Sequence, residues 1–483
     1  MAESVRQLKP NALWNYFADL NDVPRPSKKE ERVIQFMLAF GKKLRLPTSV
    51  DKVGNVLIKK PATPGLEQKP VVLLQSHLDM VHQKNADTQF DFDKQGIIMK
   101  VDGDWVSAEG TTLGADNGIG VASIMAILAS DEIPHPPIEA LFTIDEETGL
   151  TGAKGLEGGV LHAKYMLNLD SEDDRELTIG CAGGVDVTGD GNYGQDPVPA
   201  GMNAFRVGIS GLTGGHSGMD IHIGRGNANK LCNRLLAGGA SDFGLRIAAV
   251  DGGSLRNAIP RECFATVLIP AGQEDGFTNY IQNETATLLA EYRTTDPELA
   301  VTCEATASPL EMMELSFQKT WLATIYACAN GIYRMSPDVE DLVQTSNNLS
   351  RVLAKDGQFS IQCLTRGSVD SEKMDLANAL KATMELAGAK VRFGNEYPGW
   401  TPNPNSHLVT LMSRIFEEMN QAKPHVYACH AGLECGIVGQ NYPDMEMISF
   451  GPNIRGAHSP DEKVQISSVQ KYWDFLLRAL REI

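Results

Sequence analysis

The sequence predicts an α/β fold, helices around a mostly parallel sheet, into which an α+β unit of two ferredoxin-like halves is inserted. Three observations carry this. Residues 1–186 alternate strand-like apolar runs with helical segments, residues 187–397 change to the order strand, helix, strand, strand, helix, strand, and residues 398–483 return to the first pattern. The 483 residues leave room for two or three domains of ~100–200 residues.

In the first part NVLIKK, VVLLQSHL, IEALFTI and YMLNLD read as strands, and EERVIQFMLAFGKKL and GIGVASIMAILAS as helices. The Gly-, Pro- and Asp-rich stretch GDGNYGQDPVPAG reads as the linker that follows. Next, FRVGIS, NANKLCNRLLAGG, LRIAAVDGG, NAIPRECFATVLIP, DGFTNYIQNETATLLAEY and AVTCEATAS supply one ferredoxin-like half. A second half begins with the helix FQKTWLATIYACANGI and continues through strands around DLVQTSNNLSRVLA and QFSIQCLTRG. It ends with the helix SEKMDLANALKATMELAGA and the strand KVRFGN, and so lacks a first strand of its own. In the last part HVYACH and MEMISFGP are strands, and SSVQKYWDFLLRALREI is a closing amphipathic helix.

Composition removes several function classes. Asp plus Glu outnumber Lys plus Arg by 61 to 43, a net charge of −18 with no basic stripe, which argues against a nucleic-acid partner. The start MAESVRQLKP has no apolar leader, and the longest apolar stretch, VASIMAILA, falls short of the ~18 residues of a membrane span, so a cytoplasmic protein without membrane contact is expected. Eight cysteines lie between Cys181 and Cys435 without a CxxC pair, which signals neither a disulfide framework nor a cysteine zinc site.

The residues that carry chemistry cluster after strand-like runs. His77 and Asp79 are two apart where VVLLQSHL ends, a spacing that puts both on one face, with the carboxylate able to orient a metal-binding imidazole. Asp116 precedes a helix of small and aliphatic residues and equally suits a helix cap. Its neighbours, GADNGIG, lack the Lys and spacing of a phosphate loop. Glu146 and Glu147 follow IEALFTI, Asp170 ends YMLNLD, and His458 lies in the loop GAHSPDE. Open α/β sheets place their ligand crevice at such strand ends. Imidazoles and carboxylates without thiolates suit zinc or a similar divalent ion, and five ligands with one carboxylate shared give three to each of two metals.

The motifs HLDMV, GTTLGADNGIG, IDEETG, NLDSED, GLTGGHSGMDIH, GGSLRNAIPRE, HAGLECG and GAHSPDE resemble, through nearly the whole chain, those of the bacterial aminoacyl-histidine dipeptidases (Xaa-His dipeptidase, peptidase D). That family belongs to the co-catalytic zinc peptidases, with carboxypeptidase G and succinyl-diaminopimelate desuccinylase. The resemblance implies a zinc-peptidase-like catalytic domain, residues 1–186 and 398–483, and an inserted lid, residues 187–397. It assigns His77, Asp170 and a bridging Asp116 to one metal, and Asp116, Glu147 and His458 to the other. It also implies that Asp79 orients His77, that Glu146 is the general base, and that His216 on the lid stabilises the oxyanion. Arg366 and Asn257 match lid positions that hold the substrate's carboxylate and backbone, and Glu434 in HAGLECG is a candidate partner for the free amino group of a dipeptide.

The expected reaction is hydrolysis of unblocked dipeptides, Xaa-His and carnosine-like ones preferred, with two Zn2+, or Co2+ or Mn2+ in their place. The alternatives are a deacylase or carboxypeptidase of the same superfamily acting on N-acyl amino acids, and a scaffold that binds metal without catalysis. GGHSGM has Met219 where a serine hydrolase elbow needs Gly, which removes Ser217 as a nucleophile. In relatives with a short lid the counterpart of His216 comes from a second subunit; two lid halves in one chain would let His216 act in its own chain, as monomer or homodimer. For Glu146 and Glu147 to serve one site the chain must bend, which Gly149 and Gly152 would allow, and Asp145 is expected to be a solvated charge.

Overall fold

The computed structural model describes residues 4–483, which form two compact units. One runs to Gly180 and resumes over Trp400–Ala428 and Leu433–Ile483; the other comprises Cys181–Gly399 and Cys429–Gly432.

In the first unit the strands Ile138–Thr143, Val72–His77, Tyr165–Asn168 and Glu446–Ser449 lie side by side in that order and run parallel. The first three are buried along their whole length, covered on both faces, which explains their continuous apolar runs. Outside this centre the sheet turns antiparallel: Val56–Lys60 pairs with Ile138–Thr143, and Glu176–Cys181 meets Glu446–Ser449 at Thr178 and Ser449. The helix Ala115–Ala129 is buried nearly all round, and its small residues let it lie close to the strands: a Cβ at Gly120 would fall 2.7 Å from the Leu169 carbonyl. By contrast the last helix, Ile466–Glu482, buries one stripe, including Val469, Trp473, Leu476 and Leu480, as its amphipathic pattern requires. Because His77 is in register with Thr143, the segments that follow these neighbouring strands leave the sheet at one level.

The second unit is built on a nine-stranded sheet. Its first four strands, Ala300–Ala305, Met202–Ser210, Cys263–Pro270 and Arg246–Gly253, stand in the spatial order fourth, first, third, second of a βαββαβ repeat, all antiparallel. The next four are Val343–Lys355, Gln358–Gly367, Gly183–Asn192 and Lys390–Tyr397. This corrects two expectations at once. Residues 189–192, expected to open a linker, are the end of the strand Gly183–Asn192, and this strand is the first strand that the second half had been expected to lack, supplied from a point in the chain before the first half begins.

Glycine explains the misreading. Gly and Asp are depleted in strands, so GDGN, the end of the strand, reads as the start of a linker. Here the glycines make room: a Cβ at Gly191 would lie 2.5 Å from the Phe359 ring, and one at Gly189 2.9 Å from the Met384 sulfur. The helices Ala228–Asp242, Glu274–Tyr292, Leu315–Ala327 and Asp370–Leu386 close this sheet's core through Leu235, Phe277, Trp321 and Leu380. No helix among the described residues is long and apolar enough to cross a membrane.

Candidate metal centre

His77 is the last residue of its strand and is 1% exposed. Its Nδ1 faces Asp79, 3.1 Å from the carbonyl oxygen and 3.4 Å from Oδ1, which fixes the ring and turns Nε2 toward two carboxylates. Asp116 Oδ1 stands 3.1 Å and Asp170 Oδ1 3.3 Å from that nitrogen.

Asp116 turns its other oxygen, Oδ2, to His458 Nε2 at 3.2 Å, and Glu147 Oε2 lies 3.0 Å from the same nitrogen. Two triads result, His77 with Asp116 and Asp170, and Asp116 with Glu147 and His458, each with its ligand atoms within 4.8 Å of one another. All five ligands expected from the sequence therefore meet, and the shared residue is Asp116. As a helix cap Asp116 fails. Gly114, at φ 69°, occupies the cap position, Asp116 lies in the first turn with φ −80° and ψ 110°, and the Asp116–Asn117 peptide is cis.

Charge in the cluster is strongly redistributed. Burial works against protonation of His77, yet Asp170, Asp116 and Asp79 outweigh it and raise its pKa. At His458 the hydrogen bonds to Asp116 and Glu147 lift the pKa to about 11 against the effect of burial. Burial, with Asp116 and Glu147 nearby, pushes Asp170 up to about 6 even though His77 opposes it. The Glu147 oxygen Oε1 is buried with no hydrogen-bond partner among the described residues. So dense a set of carboxylates around two imidazoles, with an unsatisfied oxygen left over, is a donor set suited to divalent cations.

Glu146 and Glu147 reach the site through a bend, though the glycines do not make it. Asp145 at φ 50° and Leu150 at φ 53° adopt left-handed backbone, bracketing the short helix Glu146–Gly149, while Gly149 and Gly152 keep ordinary φ. A Cβ at Gly152 would lie 2.6 Å from the Ile144 nitrogen, so its requirement is close approach. Asp145 is likewise not a solvated charge. It is buried, accepts from the hydroxyls of Thr148 and Thr151, pairs with Lys28 Nζ at 3.3 Å and donates its backbone N–H to Glu30. Asp79, expected only to orient His77, also accepts the backbone N–H groups of Glu146 at 3.0 Å and Glu147 at 3.3 Å. Burial, reinforced by Asp170, Glu434 and Glu147 and opposed by His77, holds the Glu146 carboxyl well above the usual range.

Asn117, not singled out in the sequence, donates from Nδ2 to Asp170 Oδ1 and to the Leu169 carbonyl. It is the residue after Asp116 in a motif already chosen, and only the fold reveals its partner. Glu434 is fully buried in the same unit, where one oxygen accepts from Gln75 at 2.6 Å and Thr143 at 2.7 Å and the other has no partner among the described residues. Burial pushes its pKa up to about 7.

In the second unit His216 Nδ1 accepts the backbone N–H groups of Gly218 at 3.2 Å and Met219 at 2.9 Å. Burial and the Arg366 charge lower its pKa to about 4, so the ring is neutral and carries its hydrogen on Nε2. Arg366 is 4% exposed, and its hydrogen-bond acceptors among the described residues are uncharged, Tyr397 Oη at 2.8 Å and Ser217 Oγ at 3.4 Å, with His216 Nε2 lying 3.4 Å away. A buried guanidinium without a carboxylate calls for an anion. His430, 2.7 Å from Ser346 Oγ through Nε2, is also neutral, burial and Arg366 holding its pKa at about 3. Asn257 is exposed and lies in the turn before the Cys263–Pro270 strand, where its carbonyl accepts the Ser217 N–H at 2.8 Å. Tyr397 lies in no motif singled out in the sequence, and His430 opens HAGLECG, a motif from which only Glu434 was chosen.

The model of Peptidase family M20/M25/M40 matches residues 73–482. The cytosol non-specific dipeptidase of Escherichia coli (strain K12) is 43% identical over 477 residues, covering 99% of this chain and 98% of that protein. The crystal structure of aminoacylhistidine dipeptidase from Vibrio alginolyticus is similar over 100% of this chain and 98% of that one, with a TM-score of 0.94 and 44% identity. Aminopeptidase PepT from Bacillus cereus shares the fold, with a TM-score of 0.57, 17% identity and coverage of 98% and 99%.

Proposed function

The chain belongs to peptidase family M20/M25/M40, and on that premise we propose that it is a cytosolic dipeptidase that hydrolyses unblocked dipeptides, Xaa-His among them, at a two-metal centre. The observation that carries this reading is Asp116, whose two oxygens face His77 and His458 separately and so join two three-residue ligand sets. The names of two relatives of matching length, a cytosol non-specific dipeptidase and an aminoacylhistidine dipeptidase, support the substrate class.

His77, Asp116 and Asp170 would hold one ion, and Asp116, Glu147 and His458 the other. Two Zn2+ ions bound there, or Co2+ or Mn2+ in their place, would acidify a water and polarise the scissile carbonyl. Glu146 takes the proton of the attacking water and returns it to the leaving amine, a role worth roughly 10²–10⁴ in rate. His216, neutral with its hydrogen on Nε2, is chemically fitted to donate to the oxyanion. Arg366 would take the substrate's terminal carboxylate, which supplies the missing anion, with the Asn257 region contributing to the substrate's backbone. Glu434 is assigned to the free amino group through its unsatisfied oxygen.

A panel of Xaa-His dipeptides, their N-acetylated forms and N-acyl amino acids, run on metal-loaded and chelated protein, tests the proposal. Cleavage of the free dipeptides alone, abolished by chelation, is expected. Preference for the N-acyl compounds would move the chain to the deacylase class, and hydrolysis that survives complete chelation would refute a metal mechanism.

A further inference from the structure

Two buried charges hold the turn that carries Asp116. Resting on the two-metal reading above, we propose that Arg25 and Glu462 form a clamp that sets the bridging carboxylate for metal capture, and that both are positioning residues.

Glu462 is 2% exposed and belongs to the loop that carries His458. Its Oε2 accepts the N–H groups of Leu113 at 2.7 Å and Gly114 at 2.9 Å, and its Oε1 those of Ala115 at 2.7 Å and Asp116 at 3.3 Å. Three of these consecutive donors, those of Gly114, Ala115 and Asp116, are ones a helix start leaves without intrahelical partners. One carboxylate satisfies all of them from outside the helix, and no side chain of the helix's own cap does so. Within its loop Glu462 is tied back through its own N–H to the Ser459 carbonyl at 3.0 Å, and Ser459 N–H to Gly456 at 3.2 Å, a turn in which His458 sits at φ 63°. The position of His458 and that of the Asp116 backbone are thus set by the same short segment.

Arg25 grips the other side of the turn. Nη2 donates to the Gly114 carbonyl at 2.6 Å, and Nη1 to the carbonyls of Leu78 at 3.1 Å and Asp79 at 3.2 Å, just beyond His77. A Cβ at Gly114 would fall 2.5 Å from Nη2, so the backbone approaches the guanidinium as closely as glycine permits. Both backbone groups of Gly114 are therefore held, its carbonyl by Arg25 and its N–H by Glu462. Three metal-binding segments, those of His77, Asp116 and His458, are joined through one pair of opposite charges. The bare carboxylates of Asp116, Asp170 and Glu147 repel one another, and a backbone fixed by the clamp keeps Asp116 from turning away before metal arrives.

The test compares wild type with Glu462→Gln, Glu462→Asp and Arg25→Lys for metal affinity by chelator competition, metals bound per chain, kcat at saturating metal, and unfolding of the metal-free protein. In Glu462→Gln an NH2 group faces backbone donors, in Glu462→Asp the reach is shortened, and in Arg25→Lys one donor group cannot span the separated carbonyls. Expected is a 10–100-fold loss of affinity, as for other groups that orient metal ligands, with kcat of Glu462→Asp largely restored by excess metal. Asp104→Asn, which loosens the Ser467 N–H at the start of the last helix, controls for destabilisation alone. Folded Glu462→Asp and Arg25→Lys proteins that bind metal as tightly as wild type would overturn the clamp while leaving the two-metal reading intact. A wild-type chain that takes up fewer than two ions would overturn that reading, and the clamp with it.

Discussion

The Asp79 carboxylate accepts the backbone N–H of Glu146 at 3.0 Å while it borders the Nδ1 edge of His77 at 3.4 Å. One buried carboxylate thereby orients both a ligand and the segment that carries the proposed base. Asp79→Asn should lower metal affinity by about 10–100-fold and, with metal restored to saturation, still show reduced kcat because Glu146 is no longer anchored. Full recovery of kcat at saturating metal would mean that Asp79 serves His77 alone.

Glu146 and Glu147 should separate in metal content. Glu146→Gln is expected to keep both ions and lose roughly 10²–10⁴ in kcat, whereas Glu147→Ala should lose the ion shared with His458. Elemental analysis of the two purified variants decides it, and equal metal content with equal loss of rate would remove the division of roles.

At Arg366 the geometry separates charge from orientation. Arg366→Met removes the buried guanidinium and should cost kcat/KM about 1.5–3 kcal/mol, most of it in KM. Tyr397→Phe deletes one neutral hydrogen bond to the guanidinium, made at 2.8 Å, and should cost about 0.5–1.5 kcal/mol. A dipeptide amidated at its terminal carboxylate should be insensitive to both, and equal sensitivity would argue that Arg366 is structural.

The neutral imidazoles predict a pH dependence of stability. The pKa values of His216 and His430 are lowered to about 4 and about 3, by burial first and then by Arg366, from an ordinary 6.5. Unfolding therefore takes up protons between these limits, and the contribution of each group is complete above pH 6.5 and lost as pH falls toward its folded value. His430→Asn should reduce proton uptake on unfolding by about one proton between pH 4.5 and 6, as read from the slope of unfolding free energy against pH. An unchanged slope would contradict a neutral buried His430.

His77, Glu147 and Asp170 were legible as candidate ligands because each lies at or just after a strand end, and parallel register brings those ends together. What hid was backbone behaviour. The glycine-rich end of the strand Gly183–Asn192, residues 189–192, reads as linker, because the side chains that need its glycines, Phe359 and Met384, come from a distant part of the sequence. The bend at IDEETG was expected at glycines because φ above zero is easiest there, yet Asp145 adopts it, held by Thr148, Thr151, Lys28 and Glu30. Arg25, Glu462 and Tyr397 act through partners that no local pattern reveals. Their roles rest on contacts with backbone or with another side chain, and these exist only once the chain is folded.

The bridging role of Asp116 is the claim on which the rest depends, and metal counting tests it most directly. Wild type should bind two ions per chain and Asp116→Ala should lose both together. An Asp116→Ala protein that folds and retains one ion at wild-type affinity would show that the two sites are independent and would contradict the shared carboxylate.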